Sequence, residues 1–530
     1  MQTAREEGSI IIFGENLLRP ERVTGEKNAR KQVVSRGIVP IPWWGRPKSN
    51  TAQYSLKLMN VERQNQDTLY QMEFDFDTPL GEVRPHGGGE GATPTAAPSR
   101  EQQAFAAWKE ELNWEERILE NIAHRYNLEH ACQRVKSNKG APGIDGMTVE
   151  ELERWLNTHM AELREQLLNG SYRPQEVKGV SIPKPNGGRR QLGIPTAIDR
   201  LVQQAFVQAL APILDPQMSE SSYGFRPNRS AHQALKAGSA YVEQGYTVAV
   251  DLDLEKFFDK VNHDILMSRL ARRIKDKRVL YYIRQMLKAG MMDNEGIKQK
   301  REQGTPQGGP LSPQLANVLL DDLDRELENR GLHFCRYADD CIIFVRTIEA
   351  GERVLASISR YIKDELKLKV NQQKSKVDKV WNCVYLGYII GVEGKLKIAP
   401  ASVKKLKAKV RLITRRNRPT PLREVIAELI PVIRGWTNYF KLAAINRLCQ
   451  ELDEWTRRKL RCLRLKQCKH PKGIRRFLES TGVKRKMRES IGSMGRRWWW
   501  ISCSPLAHIC MDNAWLRAEG YVSFYQLLKR

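Results

Sequence analysis

His333-Phe334-Cys335-Arg336-Tyr337-Ala338-Asp339-Asp340-Cys341-Ile342-Ile343-Phe344-Val345 is the stretch on which the reading of this chain turns. Two short runs of strand-forming residues meet at a pair of adjacent carboxylates, which predicts a hairpin with an acidic tip. An Asp-Asp pair in a turn is by itself an ordinary solvated turn. A second acidic strand changes that. Thr247-Val248-Ala249-Val250-Asp251-Leu252-Asp253-Leu254 reads as a β-strand ending in Asp253, with Asp251 two residues earlier on the same face. If the strand and the hairpin are antiparallel neighbours, their carboxylates converge. The roughly 85 residues between them then supply helices for the other face of the sheet.

The whole chain points to a polyanionic partner. It has 530 residues, enough for three or four domains, with a formal net charge of +27. Residues 401–500 hold 28 Lys and Arg against 7 Asp and Glu, so most of the excess sits in one block. Such a block repels itself unless a partner such as nucleic acid offsets it. There Val403, Leu406, Val410 and Ile413 mark the apolar face of a helix, and Lys404, Lys405, Lys407, Lys409, Arg411, Arg415 and Arg416 cover its other faces. Further basic helices are predicted over Val432–Leu442 and Leu452–Leu465, the second carrying Arg457 and Arg458. No apolar run approaches the ~20 residues of a membrane span. The nine cysteines form no Cys-x-x-Cys pair, which argues against a zinc site or disulfide framework and for reduced thiols in the cytoplasm.

Paired carboxylates on neighbouring strands suit phosphoryl transfer. That chemistry needs two divalent ions about 4 Å apart, and Mg²⁺ prefers hard oxygen ligands. Around the acidic strands stand Asp253-Leu254-Glu255-Lys256-Phe257-Phe258-Asp259-Lys260-Val261-Asn262-His263, Tyr223-Gly224-Phe225-Arg226-Pro227-Asn228-Arg229-Ser230-Ala231-His232 and Thr305-Pro306-Gln307-Gly308-Gly309-Pro310-Leu311-Ser312-Pro313. Ala141-Pro142-Gly143-Ile144-Asp145-Gly146, Tyr385-Leu386-Gly387-Tyr388 and Arg434-Gly435-Trp436-Thr437-Asn438-Tyr439-Phe440 complete the series. In this order, from about residue 116 to 500, these blocks resemble those of group II intron-encoded reverse transcriptases and maturases.

The resemblance implies a right-hand polymerase of α+β class: fingers, an α/β palm built on an antiparallel sheet, and an α-helical thumb. Residues 1–100 lie outside the resemblance and read as an N-terminal extension ending in a Gly/Pro-rich linker; the resemblance implies a helical segment with fingers over 101–240 and the palm over 241–395. A basic thumb, or domain X, would follow over 396–500, then a tail over 501–530 that either contacts DNA or closes the thumb. Asp253 and Asp339 would bind two Mg²⁺ ions, with Mn²⁺ as a substitute, Asp340 a weaker contributor and the Leu254 carbonyl on the nucleotide side. Asp253 is preferred to Asp251 because the family's aromatic five residues on falls at Phe258, which would exclude a 2′-hydroxyl. Lys184 and Arg190, on a hairpin predicted over residues 180–195, would clamp the triphosphate; Gln307 and Gly308 would line the nucleotide pocket, and Lys374 would lie near the phosphates.

The implied partners are dNTPs, an RNA template with a DNA primer, group II intron RNA and target DNA, with no membrane. Through Arg530 the sequence shows no His-Asn-His endonuclease chemistry, so it resembles the endonuclease-lacking class C branch, which would prime from existing ends. Three rivals stay open: an RNA-dependent RNA polymerase, against which Phe258 argues; an RNA-binding splicing factor without polymerase activity, against which the intact aspartates argue; and a domesticated relative serving DNA repair or defence.

Overall fold

A computed structural model describes residues 117–183, 189–292, 296–493 and 497–529. The expectations for residues 1–116, and Lys184 on the hairpin tip, lie outside the described residues.

Among the described residues ten strands form three sheets. They are β1 (Val177–Pro183), β2 (Arg189–Ile194), β3 (Val248–Leu252), β4 (Met291–Met292), β5 (Lys298–Gln299), β6 (His333–Tyr337), β7 (Asp340–Val345), β8 (Lys376–Lys379), β9 (Tyr388–Ile390) and β10 (Leu396–Ile398). The central sheet has the order β6-β7-β3-β8, with every pair antiparallel. Leu252 pairs with Cys341, Asp251 with Ile342 on one side and Lys376 on the other, and Tyr337 with Asp340 across the hairpin.

Side chains alternate along a strand, and the central sheet uses this to feed two cores. Val248, Val250, Leu252, Cys341, Ile343 and Val345 point into one, where Leu315, Leu319, Leu323 and Leu327 of the helix Ser312–Asn329 and Ile358 and Ile362 of the helix Ile348–Asp364 cover them. Ala249, Ile342 and Phe344 point into the other, together with the helix Ala231–Glu243 and much of the basic C-terminal region. That helix starts at a capping box made by Ser230 and Gln233. It lies close to the sheet at Gly238, where a Cβ would come within 2.9 Å of Phe344. Palm and thumb therefore share a core.

A second four-stranded sheet has the order β2-β1-β4-β5, and β1 and β2 form the antiparallel hairpin expected near residues 180–195. The thumb consists of the helices Pro400–Ile413, Leu422–Phe440 and Asn446–Gln467. In the first, Leu406, Val410 and Ile413 are buried as the spacing predicts.

The other two are longer than expected. Pro431 lies inside the second helix rather than before it, because Leu422, Val425, Ile426, Leu429 and Ile433 form one continuous buried stripe that outweighs the loss of a single backbone hydrogen bond. The tail beyond residue 501 packs against the thumb. Buried Asp453 accepts hydrogen bonds from Tyr521 Oη (2.7 Å), Ser523 Oγ (2.6 Å) and the backbone N–H groups of Phe524 and Tyr525 (both 3.0 Å).

Candidate active site

The β3–β7 pairing sets the positions of the acidic residues. Leu254 packs in the same core as Val250 and Leu252, so Asp251 and Asp253 lie on the opposite face, with Ala249. On β7 the same alternation puts Asp340 on the face of Ile342 and Phe344. Three carboxylates thus cluster where that face runs out of apolar cover, and Asp339 lies beside them in the two-residue loop between β6 and β7.

The electrostatics record the crowding. Asp340 reaches solvent at the strand end, but the protein packed around it, with repulsion from Asp339, Asp251 and Asp253, pushes its carboxyl up to about 7. Burial also raises Asp251, to about 6, with Asp253 adding to the rise and Lys376 and Lys374 opposing it. The end of β3 is held by its backbone: Asn371 N–H donates to Asp253 O (2.8 Å), and Ser375 Oγ accepts from Asp253 N–H (3.0 Å). That same turn carries Lys374, whose Nζ lies 3.2 Å from Asp253 Oδ1.

Of the other expected site residues, Phe258 lies in the short helix Phe257–Lys260 that follows β3, and the loop carrying Gln307 and Gly308 is hydrogen-bonded to that helix and to Val261 just after it. Phe258 is half-buried against Phe257, with ring centroids 5.2 Å apart. Its carbonyl accepts from Thr305 N–H at 2.7 Å, and Val261 O accepts from Gly304 N–H at 2.7 Å. Gly304 has φ +84°, and a Cβ there would fall 2.8 Å from Phe258 O, so the close approach requires glycine. The loop then reaches the second sheet. Gln307 O accepts from Gly193 N–H (2.9 Å), and Gly308, at φ +128°, would strike Gly193 O at 2.6 Å if it carried a Cβ. Gly193 belongs to β2, as does Arg190, whose backbone pairs with Ile182. The structure thus joins Phe258, Gln307, Gly308 and β2 in one continuous set of backbone contacts that begins five residues after Asp253.

Residues 182–390 match the Reverse transcriptase (RNA-dependent DNA polymerase) family, and residues 403–500 match the Group II intron, maturase-specific domain. Protein YkfC of Escherichia coli K12 is 32% identical over 314 residues, which make up 52% of this chain and 82% of YkfC. The chain belongs to the group II intron reverse transcriptase family. Group II intron-encoded protein LtrA of Lactococcus lactis is 33% identical over 254 residues, 47% of this chain and 40% of LtrA. Among solved structures, a chain of a partial Cas6-RT-Cas1–Cas2 complex is 28% identical, with a TM-score of 0.31 over 47% of this chain and 42% of that one.

The acidic cluster is the candidate place for a divalent cation. Asp253 Oδ2 is buried without a hydrogen-bond partner, an arrangement that costs free energy unless a cation or donor compensates. Among the described residues no three or more His, Cys, Asp or Glu side chains are grouped so as to hold a metal ion by themselves.

On the thumb, Lys404, Lys405, Arg411, Arg415 and Arg416 are exposed, while Lys407, Lys409, Arg457 and Arg458 are half-buried. Arg458 lies 3.9 Å from the ring centre of Trp499, and Arg411 lies 5.5 Å from that of Trp455. Trp436 and Tyr439 are core residues. No helix among the described residues is long and apolar enough to cross a membrane.

Sequence reasoning missed the polar residues behind the acidic hairpin, above all Arg336, which is fully buried. The available signal was a charged residue inside an otherwise apolar strand.

The raised carboxyls give a signed pH effect in metal-free protein. Asp340 and Asp251 keep protons that the unfolded chain has released, so their contribution to stability falls as pH rises from about 4 to about 7. Thermal melts in EDTA should therefore show Asp340→Asn gaining on wild type between about pH 5 and pH 8. A difference that does not vary with pH would mean that Asp340 titrates as an ordinary carboxylate.

Proposed function

We propose that this protein is an RNA-directed DNA polymerase working with two Mg²⁺ ions, and that it also binds group II intron RNA as a maturase. The observation that carries the reading is the antiparallel β3–β7 register, Leu252 opposite Cys341, which brings Asp253 to the Asp339-Asp340 hairpin. When bound, the ions activate the primer 3′-hydroxyl and stabilise the departing pyrophosphate. In this reading Asp253 and Asp339 hold them, Asp340 adds negative charge, and the Leu254 carbonyl serves the nucleotide side. Asp251 sits deeper in the sheet, between Ile342 and Lys376, and acts as a neighbour of the site.

Phe258 limits the space beside the sugar, Gln307 and Gly308 shape the pocket, and Arg190 with Lys184 binds the triphosphate. Lys374 supplies positive charge to the same cluster. The thumb grips phosphates through Lys404, Lys405, Lys407, Lys409, Arg411, Arg415, Arg416, Arg457 and Arg458. Maturase action needs binding energy on folded intron RNA and no carboxylate chemistry, so it is separable from polymerisation. Residues 1–100 and the tail are read as an extension and a thumb closure.

Primer extension on an RNA template with dNTPs and Mg²⁺ tests the reading. Wild type should extend and Asp339→Ala should not, while intron RNA binding by the variant persists. Extension by Asp339→Ala would show that the hairpin is not the active site. Phe258→Ala should extend with ribonucleotides more readily than wild type; unchanged sugar selectivity would remove Phe258 from the pocket. Reversing Lys404, Lys405, Arg411 and Arg415 together should weaken RNA binding and flatten its salt dependence. A wild-type grip on six to ten phosphates loses ~10³–10⁵-fold in affinity between about 50 and 200 mM salt. An unchanged slope in the variant would make this face a solvated one.

A further inference from the structure

The loop that presents Asp339 is strained. Tyr337 and Asp340 pair across it, leaving Ala338 and Asp339 as its two loop residues, and Ala338 has φ +57°. The left-handed region is unfavourable for an L-residue because Cβ crowds the carbonyl oxygen, and glycine is the usual choice there. Strain of this kind persists only where the surroundings over-determine the conformation.

Here the surroundings are a buried polar scaffold. Arg336 is 0% exposed and spends its whole guanidinium on the hairpin's support. Its Nη1 donates to Ala338 O (2.9 Å) and Asn317 Oδ1 (2.9 Å). Its Nε and Nη2 fork onto Asp324 at 2.6 and 2.5 Å, and Nη2 also donates to Ser222 Oγ at 2.8 Å. Asn317 Nδ2 in turn donates to Gly224 O (2.7 Å). Gly224 approaches so closely that a Cβ would lie 2.3 Å from Ala338 N. Backbone bonds from Tyr223 N–H to Arg336 O (2.8 Å) and from Arg336 N–H to Ser221 O (2.9 Å) close the frame.

We propose that Arg336 is a positioning residue of the polymerase site: anchored by Asp324, Asn317 and Ser222, it holds the Ala338 carbonyl and so fixes where Asp339 and Asp340 are presented. Asn317 and Asp324 both belong to the helix Ser312–Asn329, which begins directly after the Gln307–Pro310 loop. The same guanidinium therefore ties the acidic hairpin to the element that carries the nucleotide loop. A bidentate Arg–carboxylate fork fixes direction as well as charge, and a lysine cannot reproduce it.

This rests on the polymerase reading, which wild-type extension abolished in Asp339→Ala establishes independently. With that control in hand, Arg336→Lys keeps the charge opposite Asp324 but loses the fork and the Ala338 contact. It should lower kcat by ~10²-fold, the scale of a misplaced catalytic group. The KM for dNTP and the affinity for template–primer should stay near wild type, and the Mg²⁺ concentration for half-maximal rate should rise several-fold. Amide hydrogen exchange should accelerate at residues 337–341 and not across the rest of the palm. A folded Arg336→Lys with wild-type kcat, Mg²⁺ dependence and hairpin exchange would overturn the proposal. So would a rate loss that merely follows the fraction unfolded. If Arg336→Lys does not fold, Asn317→Ala decides, because it leaves the Arg336–Asp324 pair in place. Faster hairpin exchange with reduced kcat then supports the role, and wild-type values for both refute it.

Discussion

The constraint on which this molecule depends is the parity of one strand pair. Because β3 and β7 are antiparallel with Leu252 opposite Cys341, every second residue of each strand faces the same side. Apolar residues occupy both faces along most of their length, and acidic residues occupy one face at one end. A slip of one residue would exchange the two faces. It would drive Asp251 and Asp340 into the core of leucines from Ser312–Asn329 and move Ile343 to the face now held by Ile342 and Phe344. The hydrophobic cores on both faces therefore enforce the register that gathers the carboxylates, and fold stability and site geometry are the same requirement.

Gathering carboxylates is unfavourable in itself, and the structure shows two ways of sustaining it. One is local charge: Lys374 lies 3.2 Å from Asp253, and the raised Asp340 and Asp251 carboxyls hold protons more readily. The other is rigidity from behind the hairpin, where a buried Arg–Asp fork and an asparagine hold a left-handed alanine. A buried ion pair is weak evidence for stability, since desolvation can cancel its attraction. Its benefit here is directional. An apolar replacement of Arg336 could fill the volume and still leave the Ala338 carbonyl without its donor.

What the sequence revealed and what it hid follow one physical division. The acidic strand, the hairpin and the apolar stripe of Pro400–Ile413 were legible because their signals are local, with alternation or helical spacing within a dozen residues. The Arg336 scaffold was not, because its partners Asp324, Asn317 and Ser222 lie 12, 19 and 114 positions away. The start of Leu422–Phe440 was misplaced for a related reason. Pro431 is a strong local stop, and only tertiary burial of Leu422 through Ile433 overrides it. Trp436 and Tyr439, aromatics in a basic block, could have been stacking platforms from sequence alone; their burial against Phe440 and Phe524 makes them core.

The shared core of palm and thumb carries the argument one step further. Tyr439 Oη donates to Leu386 O at 2.9 Å, and Tyr388 donates to Tyr439 O, so two blocks some fifty residues apart in sequence interlock at the joint. Gly387, at φ +77°, lets Phe440 approach within 3.5 Å of where a Cβ would be. Tyr385, from the same block, donates to Cys335 O on the hairpin strand β6 (3.1 Å). A path of packed aromatic rings and backbone hydrogen bonds thus runs from the basic thumb to the strand that ends at the acidic hairpin. A protein whose net positive charge lies mainly on the thumb meets a polyanion there first. Because thumb and hairpin are built on one core, the basic helices and the acidic hairpin keep one fixed relation to each other.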